Sequence, residues 1–138
     1  MYGMRACIER DYCRWWRGCL EEDATMPKCK LIALTTPLPG KEAEFHDWYQ
    51  NTHLKEVTSV PGFQGAQRFQ LVAKLMGEDT NQFLAIYDAE VDDPGALLAG
   101  MGEFAQSGKM TPAIYQDMAT TYTAFFVECA PYVKAGAA

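Results

Sequence analysis

Histidine is scarce in this chain: only His46 and His53 occur in 138 residues. A three-histidine metal centre is therefore excluded. On one helix the two would lie about 10 Å apart along the axis, too far to share an ion with Zn–N bonds of about 2 Å. Cysteine offers no substitute. Cys7, Cys13, Cys19, Cys29 and Cys129 are odd in number and lack the close pairs of a zinc site or a disulfide framework. That usage fits a reducing cytosol, so a cytoplasmic location is expected. Positive charge is also short, with 12 basic against 18 acidic residues and a net charge of -6. Neutralising phosphates needs the opposite balance, which excludes nucleic acid as a partner and disfavours anionic membrane surfaces. No apolar run approaches the roughly 20 residues of a membrane span. Glycine-rich phosphate loops and the G-x-S-x-G nucleophile elbow are missing as well. The chain gives no sign of nucleotide, flavin or metal chemistry, and no cofactor is expected.

What is present is ordinary globular material. Apolar residues make up 49% and charged residues 22%, which excludes general disorder, and the length allows one domain. Residues 1–27 read as an N-terminal extension, 28–130 as the domain and 131–138 as a loose tail. The extension holds four arginines and the Trp15–Trp16 pair. Charges interrupt each of its apolar stretches, so no secretion signal is read. Ile8, Tyr12, Trp15, Trp16, Cys19 and Leu20 recur at helical spacing. Either a covering helix or a segment outside the domain follows, with Met26 as an alternative start; the second is preferred.

The order of elements becomes clear from Lys28. Alternation over Lys28 to Thr36 predicts a strand. A helix is expected from about Lys41 to Val57, with Phe45, Trp48, Tyr49 and Thr52 as its buried stripe. Pro61-Gly62 supplies a turn. Strands follow over Phe63 to Lys74 and Gln82 to Glu90, joined by a polar loop. Asp92-Asp93-Pro94 is a helix start, an Asp cap followed by Pro at the first position. Leu97, Leu98, Met101, Phe104 and Ala105 form that helix's apolar face. Met118 to Cys129 is the last strand. The order β-α-β-β-α-β is the split pattern of a ferredoxin-like α+β sheet. Two helices cover only one face of four strands. The other face carries either Tyr122, Ala124 and Phe126 or Thr123, Phe125 and Val127, neither polar enough for water. A homodimer is expected, with two sheets facing each other around an apolar interior.

Trp48-Tyr49, His53, Glu56, Val60-Pro61-Gly62-Phe63 and Ala66-Gln67-Arg68-Phe69 carry a resemblance. The run resembles W-Y-x-x-x-H-x-P-E, V-P-G-F and A-x-R-[FY] in small bacterial members of the dimeric α+β barrel superfamily, with Lys55 where Pro is common. Element order extends the likeness over about Lys28 to Val127. The superfamily includes muconolactone isomerases, polyketide cyclases, EthD-like proteins and quinol-type and haem-degrading monooxygenases. It therefore implies a fold without fixing a reaction.

His53 is the sharpest candidate. The resemblance implies that a histidine at this helix position lines the ligand cavity, where it can serve as general acid or base. The structural alternative is an imidazolium capping the helix end. Tyr49 is placed to hydrogen-bond a ligand or His53, while Trp48 reads first as core. His46 is expected to be a solvated surface residue. Arg68 would bind a substrate carboxylate if it faces inward; an ion pair with Glu56 or Glu90, or an outward charge, is preferred. Phe83, Tyr87, Phe104, Tyr122 and Phe126 are expected to line the cavity around a flat, largely apolar ligand, with Tyr115 as a closing loop residue. The expected function is a metal-independent enzyme of isomerase, cyclase or lyase type. It would move protons on an aromatic or polyketide-like substrate, with or without a carboxylate. A cofactor-independent monooxygenase and a non-catalytic binding protein are the alternatives, and a haem-handling protein ranks last.

Overall fold

The computed structural model describes residues 26–136, so the expectations for residues 1–25 lie outside the described residues. The chain runs β1 (Lys28–Thr35), α1 (Glu42–Trp48), a π-turn (Tyr49–His53), α2 (Leu54–Thr58), β2 (Phe63–Gln70), β3 (Phe83–Glu90), α3 (Pro94–Gln106) and β4 (Tyr122–Val127). The four strands form one antiparallel sheet in the order β2-β3-β1-β4. This is the ferredoxin-like α+β fold that the element order predicts.

Alternation in β1 sets the two faces. Cys29, Leu31, Ala33 and Thr35 are buried beneath the helices, whereas Ile32 and Leu34 point to the other side. Cross-strand pairing carries the division outward, placing Leu31 opposite Tyr87 and Phe125, and Ala33 opposite Ala85. The helices press Phe45, Trp48, Tyr49, Leu54 and Val57 onto that covered face. Phe45 is completely enclosed, and truncating such a ring to Ala costs about 3–5 kcal/mol.

Two backbone devices aim side chains. Gly62 takes φ +113°, as the Pro-Gly turn requires, and a Cβ there would meet Val91 Cγ1 at 3.0 Å. A register shift between Phe63 and Gly65 then inserts a bulge in β2. Phe63 opposes Ala89, yet Ala66 opposes Tyr87 and Arg68 opposes Ala85. Phe63 and Arg68 thus share the covered face, although an odd spacing would separate them in a regular strand.

The elements differ from expectation mainly at their ends. The helix expected from Lys41 to Val57 spans Glu42 to Thr58 and contains a π-turn. Strand β2 stops at Gln70, because Val72, Leu75 and Met76 beyond it have no packing partner layer and are exposed. Strand β4 starts at Tyr122 rather than Met118. Asp117 first closes a local turn, accepting from Ala119 N at 3.1 Å and, through its carbonyl, from Thr121 Oγ1 at 2.8 Å. The Asp93 cap forms as expected, accepting from Gly95 N at 3.1 Å and Ala96 N at 3.2 Å.

The uncovered face carries Tyr122, Ala124 and Phe126, the first of the two sets considered. Phe69, Tyr122 and Phe126 are 42%, 50% and 52% exposed. Ile32, Leu34, Leu84 and Ile86 continue the apolar patch, and Lys30 pairs with Asp88 at one end.

Candidate functional site between the first helix and the sheet

The candidate site grows from the π-turn. Leu54 N–H bonds to Tyr49 O, closing the backbone i→i+5 in place of the α-helical i→i+4. The wider turn brings His53 against two aromatic rings at once. It stacks on Trp48 at 4.7 Å between centroids and meets Tyr49 edge-on at 4.8 Å. Trp48 Nε1 and His53 Nδ1 are both enclosed, and neither has a hydrogen-bond partner. Glu56 Oε1 is enclosed and unpartnered too, while Oε2 of the same carboxylate accepts from Thr111 N at 2.8 Å and Thr111 Oγ1 at 3.0 Å.

Burial holds the His53 imidazole below its ordinary pKa, and the neighbouring Glu56 charge partly opposes that effect. The ring is therefore neutral near pH 7 and free to accept a proton. Burial pushes the Tyr49 and Tyr87 phenols upward, so both stay protonated. Tyr87 O–H donates to the Tyr49 oxygen at a long 3.5 Å.

Arg68 closes the same region from β2. Its guanidinium lies 4.6 Å from the Tyr49 ring centroid, 5.5 Å from Phe45 and 5.8 Å from Phe83. Nη2 donates to His46 Nδ1 at 2.9 Å. Arginine has no lone pair to offer, so His46 Nδ1 is the acceptor and the ring carries its proton on Nε2. Desolvation and the Arg68 charge lower the His46 pKa, in that order, while Glu42 raises it.

Several expectations need correction. His46 is not a solvated surface residue; it is half-buried, edge-on to Phe83 at 4.6 Å and bonded to Arg68. Arg68 pairs with neither Glu56 nor Glu90, because the bulge turns it under the helices rather than toward those carboxylates. His53 does not cap a helix end, since α2 continues for five residues beyond it. The single chamber between two sheets, with the imidazole at its wall, does not hold either. His53, Tyr49, Trp48, Arg68, Phe83 and Tyr87 gather on the covered face, while Tyr122 and Phe126 lie on the opposite side of the sheet. Tyr115 joins the covered group, 6.5 Å from Trp48. Phe104 packs instead with Val60 and Leu97, beside a groove of about 570 Å³ at the far helix. No sequence signal marked His46, whose partner lies 22 residues away.

Among the described residues, no three His, Cys, Asp or Glu side chains converge on a point where a metal ion would fit. No helix among them is long and apolar enough to cross a membrane.

Fold and site together define an α+β sheet protein with a cluster of aromatic and polar side chains packed between its first helix and the sheet. No family model and no curated protein matches the sequence. Solved structures do. An ethyl tert-butyl ether (EthD) family protein from Bacillus halodurans superposes with a TM-score of 0.54 at 25% identity. That match covers 73% of this chain and 98% of the other. A monooxygenase from Streptomyces coelicolor, solved in complex with nanaomycin D, gives a TM-score of 0.44 at 11% identity. It covers 80% of this chain and 94% of that one.

Proposed function

We propose that the protein is a small-molecule enzyme whose chemistry is proton transfer. His53 is the general base, and Tyr49 orients the ligand or the imidazole. The carrying observation is the stacked pair of enclosed ring nitrogens, Trp48 Nε1 and His53 Nδ1, both without partners. An unmet buried polar group costs about 1–3 kcal/mol, so a ligand that meets both recovers that cost. A hydroxyl or enol oxygen has the required character: it accepts from an indole N–H and donates to an imidazole lone pair. Aromatic walls favour a flat substrate of aromatic or polyketide type. Isomerisation, cyclisation and decarboxylation of such compounds all turn on moving a proton at an enol or enolate. The frame shared with the EthD-family protein is compatible with this role. We further propose that two copies pair through the apolar open face, which is too large and greasy to be left to water.

The test is hydrogen–deuterium exchange in D2O. Enolisable aryl ketones, with and without a carboxylate, are incubated with the protein and followed by proton NMR. The wild type is expected to accelerate exchange at the enolisable carbon over buffer. His53→Gln is expected to lose roughly 10²–10⁴-fold while still binding. A non-catalytic binder would show binding and no acceleration, and exchange that survives His53→Gln would remove the base from the mechanism.

A further inference from the structure

Among the described residues, Arg68 is a half-buried cation without an anionic partner. Among the described residues the recorded side-chain ion pair is Lys30–Asp88, on the other face of the sheet. Among the same residues, Arg68 meets three aromatic rings and His46. Its two phenolic neighbours cannot supply the missing charge, since burial keeps Tyr49 and Tyr87 protonated. A methionine or leucine would fill such an aromatic box without the desolvation penalty. Five N–H donors sit on the guanidinium, and His46 engages one side of the fork. The remaining planar edge has the geometry that a carboxylate meets with two parallel bonds.

We propose that Arg68 is the recognition point for a carboxylate on an aromatic substrate, with His46 as the positioning residue that fixes the guanidinium plane. The inference rests on the proposed function only in placing the ligand on the same covered face. The Tyr49 ring beneath the guanidinium blocks one of its faces, and His46 Nδ1 pins Nη2 at 2.9 Å, so rotation of the fork is restricted. A ligand held there by its acid group would extend its ring along Tyr49 and Phe83 toward the Trp48–His53 pair. Substrates would thus be sorted by charge at one end and worked on at the other.

The test compares 1-naphthoate with 1-naphthamide, two probes of the same shape that differ in charge. Affinities are read from amide-shift titrations of the full chain. The wild type is expected to favour the acid by at least about ten-fold. Arg68→Met is expected to bring the ratio near one while leaving naphthamide affinity within about two-fold. Arg68→Lys, which keeps the charge and preserves the fold, is expected to retain only part of the preference. His46→Ala is expected to reduce the ratio about three-fold, and His46→Asn, whose Oδ1 can replace Nδ1 as acceptor, to restore it. Equal affinity of acid and amide in the wild type overturns the proposal, as does a preference that survives in both Arg68 variants. Neither probe has an enolisable carbon. A preference for the acid without any deuterium exchange of aryl ketones would therefore leave the carboxylate site standing and remove the proton-transfer reading alone.

Discussion

Trp48 and His53 stand five residues apart and yet stack ring on ring, with centroids 4.7 Å apart and planes inclined by 26°. In an unbroken α-helix the two positions would point roughly 140° apart around the axis. The π-turn alone removes that separation. Such turns are one-residue expansions of a helix, and they recur at functional sites.

Deleting Gln50, an exposed residue of the π-turn, is expected to restore a regular helix. Trp48 and His53 would then stand four residues apart on one helix face and stay in contact, but the ring overlap set by the wider turn should change, and deuterium exchange should fall by about ten-fold or more. The melting temperature should stay level or rise, since hydrogen-bond geometry improves. Calorimetry and the exchange assay check this together; a deletion variant that keeps full exchange would show that the π-turn geometry is incidental.

Stability should decline on the acid side of neutrality. Both histidines are held below their ordinary pKa in the folded chain, chiefly by burial. The unfolded chain therefore binds protons first, from about pH 6.5 downward. The stabilisation is complete above that value and is lost as pH falls through the folded-state values. Urea unfolding between pH 8 and 5 should show the decline, and His53→Asn should flatten most of it because His53 is the more deeply enclosed of the two.

Glu56→Gln is expected to act in two places. The amide is a weaker acceptor for Thr111 N and Oγ1, which the carboxylate holds at 2.8 and 3.0 Å. Loss of that anchor should cost about 1–2 kcal/mol in chemical denaturation. The same change removes the charge that raises the His53 pKa, so an NMR titration should find the imidazole less basic still. An unchanged His53 titration would mean that Glu56 serves the loop alone.

Phe126→Glu places a charge in the middle of the open face without disturbing the covered one, because Phe126 pairs with Lys30 on the far side of β1. Light scattering is expected to report a dimer for the wild type and a monomer for the variant, with the unfolding free energy of the monomer within about 0.5 kcal/mol. A wild type that is monomeric at high concentration would rule out the pairing.

Much of the frame was legible in the sequence because it rests on local chemistry. Alternation in β1, the Pro61-Gly62 turn and the Asp93 cap each follow from residues next to one another, and each formed as expected. The members of the candidate site were legible too, since Trp48, Tyr49 and His53 share one helical stretch. Their arrangement was not. A π-turn has no residue signature, so Trp48 read as core and His53 as a residue near a helix end. His46 looked exposed because its partner, Arg68, arrives from a different strand. Gly65 was the available hint of a bulge in β2, since an isolated glycine in a strand often marks one. Without it, which of Arg68 and Phe69 turned inward stayed open. The expected chamber between sheets failed for a related reason: sequence periodicity separates two faces but does not say which of them the histidine-bearing helix covers.

The bulge in β2 leaves the proposed ligand choice hanging on strand alignment. Arg68 and Phe69 are neighbours on opposite sides of the ribbon, opposite Ala85 and Leu84. Slippage of that ribbon by one position would withdraw the cation and present a phenyl ring in its place. On that proposal, discrimination between acids and neutral hydrocarbons would be rewritten by an insertion or deletion near Gly65, with every other side chain of the candidate site retained.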